Sequence, residues 1–213
     1  MPHSDGAGVI SAVGSGVEAS RVGERVWLYQ AQHNRRLGTA AEFLVTDQRR
    51  AVLLPNDVSA QVGACMGIPA MTAHRCVYAD GSVSGQIVLV TGGAGRVGHY
   101  AIQWAKLSGA TVIATASNAA DRQACLDVGA DHVVSHRDDN WDATVVELTQ
   151  GEKVDRVVDV EFGSNLPKVL NCIRTRGDNC HLFVDGGART DTAVSTYDVH
   201  GSDNSTCHCL RYA

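Results

Sequence analysis

No run of this sequence is apolar over membrane-spanning length, and no signal peptide opens it, so a membrane-spanning helix and a secretory route are not expected. Basic charge is not in excess. Lys and Arg number 18 against 23 Asp and Glu, a net charge of −5, which leaves no electrostatic case for a nucleic-acid partner. Cysteines are not clustered: the seven fall singly, apart from Cys207-His208-Cys209. Cys65, Cys76, Cys125 and Cys172 sit among apolar neighbours and read as reduced core residues of a cytoplasmic protein. What is present in quantity is apolar content, 44% over 213 residues, enough for one large domain or one and a fraction.

The most informative stretch is Gly85–Gly98. Ile87–Val90 is a short apolar run bounded by glycines and predicts a buried strand. Gly93-x-Gly95-x-x-Gly98 follows with dinucleotide spacing, between that strand and a helix. Gly93 would permit the tight turn, Gly95 would let a pyrophosphate approach the backbone, and Gly98 would let the helix pack closely on the strand. The helix N-terminus then presents free N–H groups to the phosphates.

Ahead of this stretch, Val9–Val13, Val22–Leu28 and Ala40–Val45 read as three strands joined by glycine turns, part of a β-rich unit. Ser59 is a candidate N-cap for a helix over Ala60–Met66, interrupted at Ile68-Pro69 and resumed over Met71–Tyr78. Beyond the glycine loop the pattern alternates regularly. Helices are expected at Arg96–Ser108, Asp121–Val128, Trp141–Gln150 and Asn165–Arg174, with strands at Thr111–Thr115, His132–Val134 and Asp155–Val160. That alternation predicts an α/β fold, a doubly wound parallel sheet with right-handed crossovers. After Gly177 the pattern stops, and no fifth strand is evident. Reading the tail one base out of frame, with permitted codons, yields two apolar elements, TIATY and LIIRLVIVYAM. A frame slip near Gly177 is therefore one expectation for the irregular tail 178–213.

Several motifs coincide: Ser4–Ile10 (SDGAGVI), Val22–Trp27 (VGERVW), Gly38–Val45 (GTAAEFLV), Gly67–His74 (GIPAMTAH), Val90–Lys106 and Gly129–Arg137 (GADHVVSHR). On these the chain resembles the medium-chain dehydrogenase/reductase superfamily, and within it the zeta-crystallin-like quinone oxidoreductases that work without zinc. The resemblance implies a partial GroES-like catalytic domain over 1–58, a Rossmann domain over 59–177, and NADPH in the cleft. It also implies a fragment, without the first part of the catalytic domain and its substrate-contacting tyrosine region. Relatives often dimerise through the sheet edge, so a homodimer is one expected assembly.

The resemblance carries further expectations residue by residue. Zinc-dependent relatives have a GHE-type motif where this chain has His3-Ser4-Asp5, with Ser4 in place of the ligand histidine, and the four-cysteine lobe is absent; no metal is expected. The cofactor-binding candidates are Thr72, Gly92, Gly93, Ala94, Gly95, Arg96, Val97, Gly98, Ser117, Arg122 and His136. Thr115-Ala116-Ser117-Asn118 ends the second strand without a carboxylate, so Ser117 and Arg122 would favour the 2′-phosphate of NADPH over NADH. Asp121 departs from the pattern, since the family often has a lysine about there. Arg96 stands where the family has a small residue, and would reach the pyrophosphate or crowd its approach. Thr72 would lie near the nicotinamide or bond its own backbone, and His136 would lie at the adenosine end or serve as a loop histidine. No catalytic residue is assigned: His74 and His99 lie near the motifs, but lone histidines beside helices are more often structural. The implied activity is hydride transfer from NADPH to a small activated acceptor, a quinone or conjugated enone. The alternative is an inactive cofactor-binding remnant of such an enzyme.

Overall fold

A computed structural model describes residues 2–182, 196–197 and 207–211. The chain divides into two compact units, 1–71 and 72–213. The division falls inside a helix, beyond the boundary expected at 58/59.

In the first unit, β1 (Gly6–Val9), β2 (Arg25–Leu28) and β3 (Ala51–Leu53) form an antiparallel sheet in the order β1-β2-β3. The third strand is thus not Ala40–Val45, as the sequence suggested. β2 is paired on both edges, by β1 and β3, which leaves that segment no edge of β2 to join. Phe43 and Val45 accordingly stand exposed.

Helix α1 (Ala60–Tyr78) starts where Ser59 was expected to cap it, the Ser59 hydroxyl accepting from the N–H of Val62 at 3.2 Å. Its expected interruption is present. Gly67 is non-helical (φ −42°, ψ −109°), two residues ahead of Pro69.

The second unit is built around β4 (Ile87–Val90), β5 (Thr111–Ala116), β6 (His132–Ser135), β7 (Val154–Asp159) and β8 (Ile173–Leu182), with all contacts among these five parallel. Their spatial order is β6-β5-β4-β7-β8, followed by antiparallel β10 (Cys207–Arg211) and β9 (Thr196–Tyr197). Helices α2 (Arg96–Leu107), α3 (Ala119–Asp127), α4 (Trp141–Leu148) and α5 (Phe162–Cys172) connect the parallel strands. Alternation along β4 sets the layers. Val88 and Val90 face a core with Ile102 of α2, Cys125 of α3 and Val77 of α1, while Leu89 faces the opposite core with Val145 of α4 and Val169 of α5. Both faces are covered, which is why the strands read as continuous apolar runs.

β8 is a correction. A strand does follow the last helix in the present reading frame, so 178–182 are not irregular. Asp178, Asn179 and His181 hide it from an apolar pattern. It forms because β7 pairs with one edge and β10 with the other. A frame slip near Gly177 thereby loses one of its two grounds. The second apolar element expected of the shifted frame falls largely outside the described residues. Cys65 is a second correction: it is exposed, whereas Cys76, Cys125 and Cys172 are buried as expected.

Candidate functional site

The strand order reverses between β4 and β7. The chain steps outward through β5 and β6 on one side and through β8 on the other, so the connections leaving the C-terminal ends of β4 and β7 run to opposite faces of the sheet. Such a switch point is where open α/β sheets take ligands. The glycine loop, 91–95, occupies that position.

Three neighbouring strands hold the loop. The N–H of Gly92 donates to Thr115 Oγ1 and that of Gly93 to the Thr115 carbonyl, both at 2.9 Å, which fixes the loop to β5. On the other side the Thr91 hydroxyl donates to Asp159 Oδ1 at 2.6 Å and accepts from the N–H of Val160 at 3.0 Å. Asp159 Oδ1 also accepts from the N–H of Glu161 at 3.1 Å and from Asn165 Nδ2 at 2.9 Å. Its other oxygen is buried without a partner among the described residues. Thr91, Thr115, Asp159 and Asn165 were not singled out from sequence. For Thr91, Thr115 and Asp159 the signal was a polar residue at or next to the C-terminal end of a strand; Asn165, on α5, had none.

The glycines divide the work differently from expectation. Gly92, not Gly93, makes the left-handed turn, with φ +59°. Gly93 is a close-approach position: a Cβ there would lie 2.8 Å from Cys125 Sγ and 2.9 Å from Ala114 Cβ. A Cβ on Gly98 would sit 2.3 Å from the Gly92 carbonyl oxygen, so Gly98 lets α2 close on the loop rather than on the strand. Gly95 is the N-cap of α2 and provides no side-chain cap for the first-turn N–H groups. Donors of that kind at the positive end of a helix suit an anion.

The remaining candidates separate. Ala94 and Val97 pack against the core and act as scaffold. Arg96 is exposed at the start of α2. Thr72 is half-buried on α1, and no hydrogen bond ties it to the glycine loop. His74 is stacked in an aromatic cluster, 4.7 Å from the Tyr78 ring and 5.1 Å from Trp104, and the His99 ring lies 5.7 Å from Tyr100. These are structural placements for both histidines.

At the end of β5 the structure corrects the sequence. A carboxylate does stand there. Asp121 reaches back from the first turn of α3, and its Oδ2 accepts from the Ser117 hydroxyl and from Asn118 Nδ2, each at 2.7 Å. Asn118, the N-cap of α3, in turn accepts from the N–H of Asp121 at 2.9 Å. Asn118 thus caps the first turn, and its side-chain amide holds the acidic side chain over the strand end. Arg122 bonds the Val133 carbonyl of β6. His136 is exposed, and its backbone N–H donates to the Ala116 carbonyl at 3.1 Å, which sets it beside the same strand end.

In the His3-Ser4-Asp5 segment the Asp5 carboxyl is turned toward the bend of α1. Asp5 Oδ2 accepts from the N–H of Ile68 at 2.8 Å, and a Cβ on Gly67 would lie 2.2 Å from the Asp5 carboxyl. Burial pushes the Asp5 carboxyl up, against the N–H bonds from Ile68 and Gln30. No group of three or more His, Cys, Asp or Glu gathers among the described residues.

The zinc-binding dehydrogenase family matches residues 97–209. A rat quinone oxidoreductase is 32% identical over 176 residues, covering 80% of this chain and 52% of its own length. The crystal structure of Escherichia coli quinone oxidoreductase complexed with NADPH superposes with a TM-score of 0.73 at 30% identity, over 82% of this chain and 52% of that one. An NAD-dependent alcohol dehydrogenase structure gives 0.76 at 30% identity, over 82% and 57%. The chain spans about half the length of the curated relatives it matches. With the switch-point glycine loop, the doubly wound sheet and these likenesses together, the chain belongs to the zinc-binding dehydrogenase family and is similar to quinone oxidoreductases within it.

Proposed function

We propose that this chain carries the dinucleotide site of an NADPH-dependent reductase that acts on a quinone or conjugated enone without zinc. One observation carries the reading: a glycine turn held between β4, β5 and β7 leaves the N-terminus of α2 open to an anion. NADPH, when bound, supplies a hydride to the acceptor. The first-turn amides after Gly95 would hold the pyrophosphate, with Arg96 as an added cation. Gly92, Gly93 and Gly98 keep the backbone in the shape that this needs. Thr72 would border the nicotinamide side. Positioning is the protein's main contribution, because the acceptors named are already activated.

Nucleotide-induced stabilisation of the full chain tests the reading. At a hundred times Kd, NADPH should raise the unfolding free energy by about 2.7 kcal/mol. NADPH oxidation by a simple quinone follows. The absence of any stabilisation would sink the proposal. Stabilisation without turnover would favour the alternative, a cofactor-binding remnant.

A further inference from the structure

We infer that Asp121 sets the choice between the two nicotinamide dinucleotides, and that it weakens the preference for NADPH. The inference rests on the nucleotide-binding reading above. Three features of the strand end carry it. The carboxylate belongs to the third residue of α3 and is held at the end of β5 by the side-chain amide of Asn118. The single hydroxyl proton of Ser117 is donated to that carboxylate, so Ser117 presents no free donor to a phosphate. Arg122, the neighbouring cation, is engaged with the Val133 carbonyl. The end of the second strand of a dinucleotide fold is where the adenosine ribose is read: a carboxylate accepts from the 2′-hydroxyl, whereas a cation receives the 2′-phosphate.

The same geometry puts Asp121 near a second group. The Cys125 thiol is raised by burial and further by the Asp121 charge. Beside a 2′-phosphate that anion repels, and it also occupies the hydroxyl that would otherwise bond the phosphate. Asp121→Asn removes the charge while keeping an acceptor for Ser117, so it tests the repulsion; Asp121→Ser also removes the carboxylate that holds the Ser117 hydroxyl.

The experiment measures dissociation constants of NADPH and NADH by titration of the full chain, for the parent, D121N and D121S. The expected result is a shift of the NADPH-to-NADH affinity ratio toward NADPH on the order of fivefold or more in both variants. The shift should shrink at high salt, since the carboxylate is half-exposed. Both nucleotides binding with a ratio unmoved by either variant overturns this inference and leaves the dinucleotide reading standing. A parent chain that binds neither nucleotide overturns both. Thermal unfolding of each variant accompanies the titrations, and D121S, which can still cap, serves where D121N loses stability.

Discussion

Gly98 is the residue on which the loop closes. A methyl group there would meet the Gly92 carbonyl oxygen at 2.3 Å, with backbone on both sides and no flexible side chain to yield. Gly98→Ala should destabilise the fold by roughly 1–3 kcal/mol and remove nucleotide-induced stabilisation. Gly8→Ala, with nothing within 4 Å of the added carbon, is the matched control and should change the chemical-denaturation midpoint little. An unshifted midpoint in Gly98→Ala would show that α2 does not close on the loop. Cysteine reactivity follows from burial in the same way. Burial pushes the Cys172 thiol up to about 12, and Cys76 and Cys125 are also enclosed, whereas Cys65 is exposed. In the native chain Cys65→Ser should delete one fast-reacting equivalent with a thiol reagent, and Cys172→Ser should delete none. The division of the glycines was only half legible in the sequence. Spacing marks that three or four glycines are needed, but which one turns and which one admits a neighbour depends on Cys125, Ala114 and Ile102, brought from elsewhere in the chain.

At the scale of elements, strands and helices of the parallel sheet were legible because each buries a periodic or continuous apolar set. β8 and β3 were not, because pairing rather than pattern makes them strands. Two polar links now tie elements together. Arg156 on β7 is 2% exposed, and its Nη1 donates to the Cys76 carbonyl in the last turn of α1 at 3.3 Å and to Asp80 at 3.2 Å. It satisfies a carbonyl that the helix end leaves over. Asp80→Ala removes the carboxylate from a buried guanidinium and should cost roughly 1.5–3 kcal/mol in denaturant unfolding. Adding Arg156→Met to it should recover part of that loss. The second link joins α2 to the turn before β6. Lys106 Nζ lies 2.8 Å from Asp131 Oδ2, which also accepts from the N–H of Val112 at 2.7 Å. Burial alone would raise the Asp131 carboxyl, but the bonds from Lys106 and Val112 outweigh it and hold it below the ordinary 3.8. A lowered folded value means the fold favours the ionised form. Its contribution is complete above 3.8 and is lost as pH falls through the lower folded value. The stability difference between the parent and Asp131→Asn should therefore be flat from about pH 7 to 5 and shrink below about pH 4. A difference that grew on acidification would contradict the link.

Across the whole molecule the two units are unequal in what they bury. The second encloses two apolar clusters, one on each face of the sheet, with Leu89, Ile102, Ile113 and Val145 among its fully enclosed side chains. The first has a sheet of three short strands, and its buried apolar residues short of the α1 bend are Val26, Ala31, Ala51 and Leu54. Sheets of that size are marginal by themselves, and local opening is easiest where few apolar contacts close over the ladder. Amide hydrogen exchange should resolve the difference. Amides of β4, β5 and β7 should exchange only through global opening, with free energies near the total stability, while those of β1, β2 and β3 should exchange through a cheaper opening and respond less steeply to denaturant. Equal protection of the two sheets would mean that the chain unfolds as one cooperative body. In that case the Arg25 links from β2 to the carbonyls of Pro55, Asn56 and Val58, which fasten the small sheet to the segment leading into α1, would carry more stability than its apolar burial suggests.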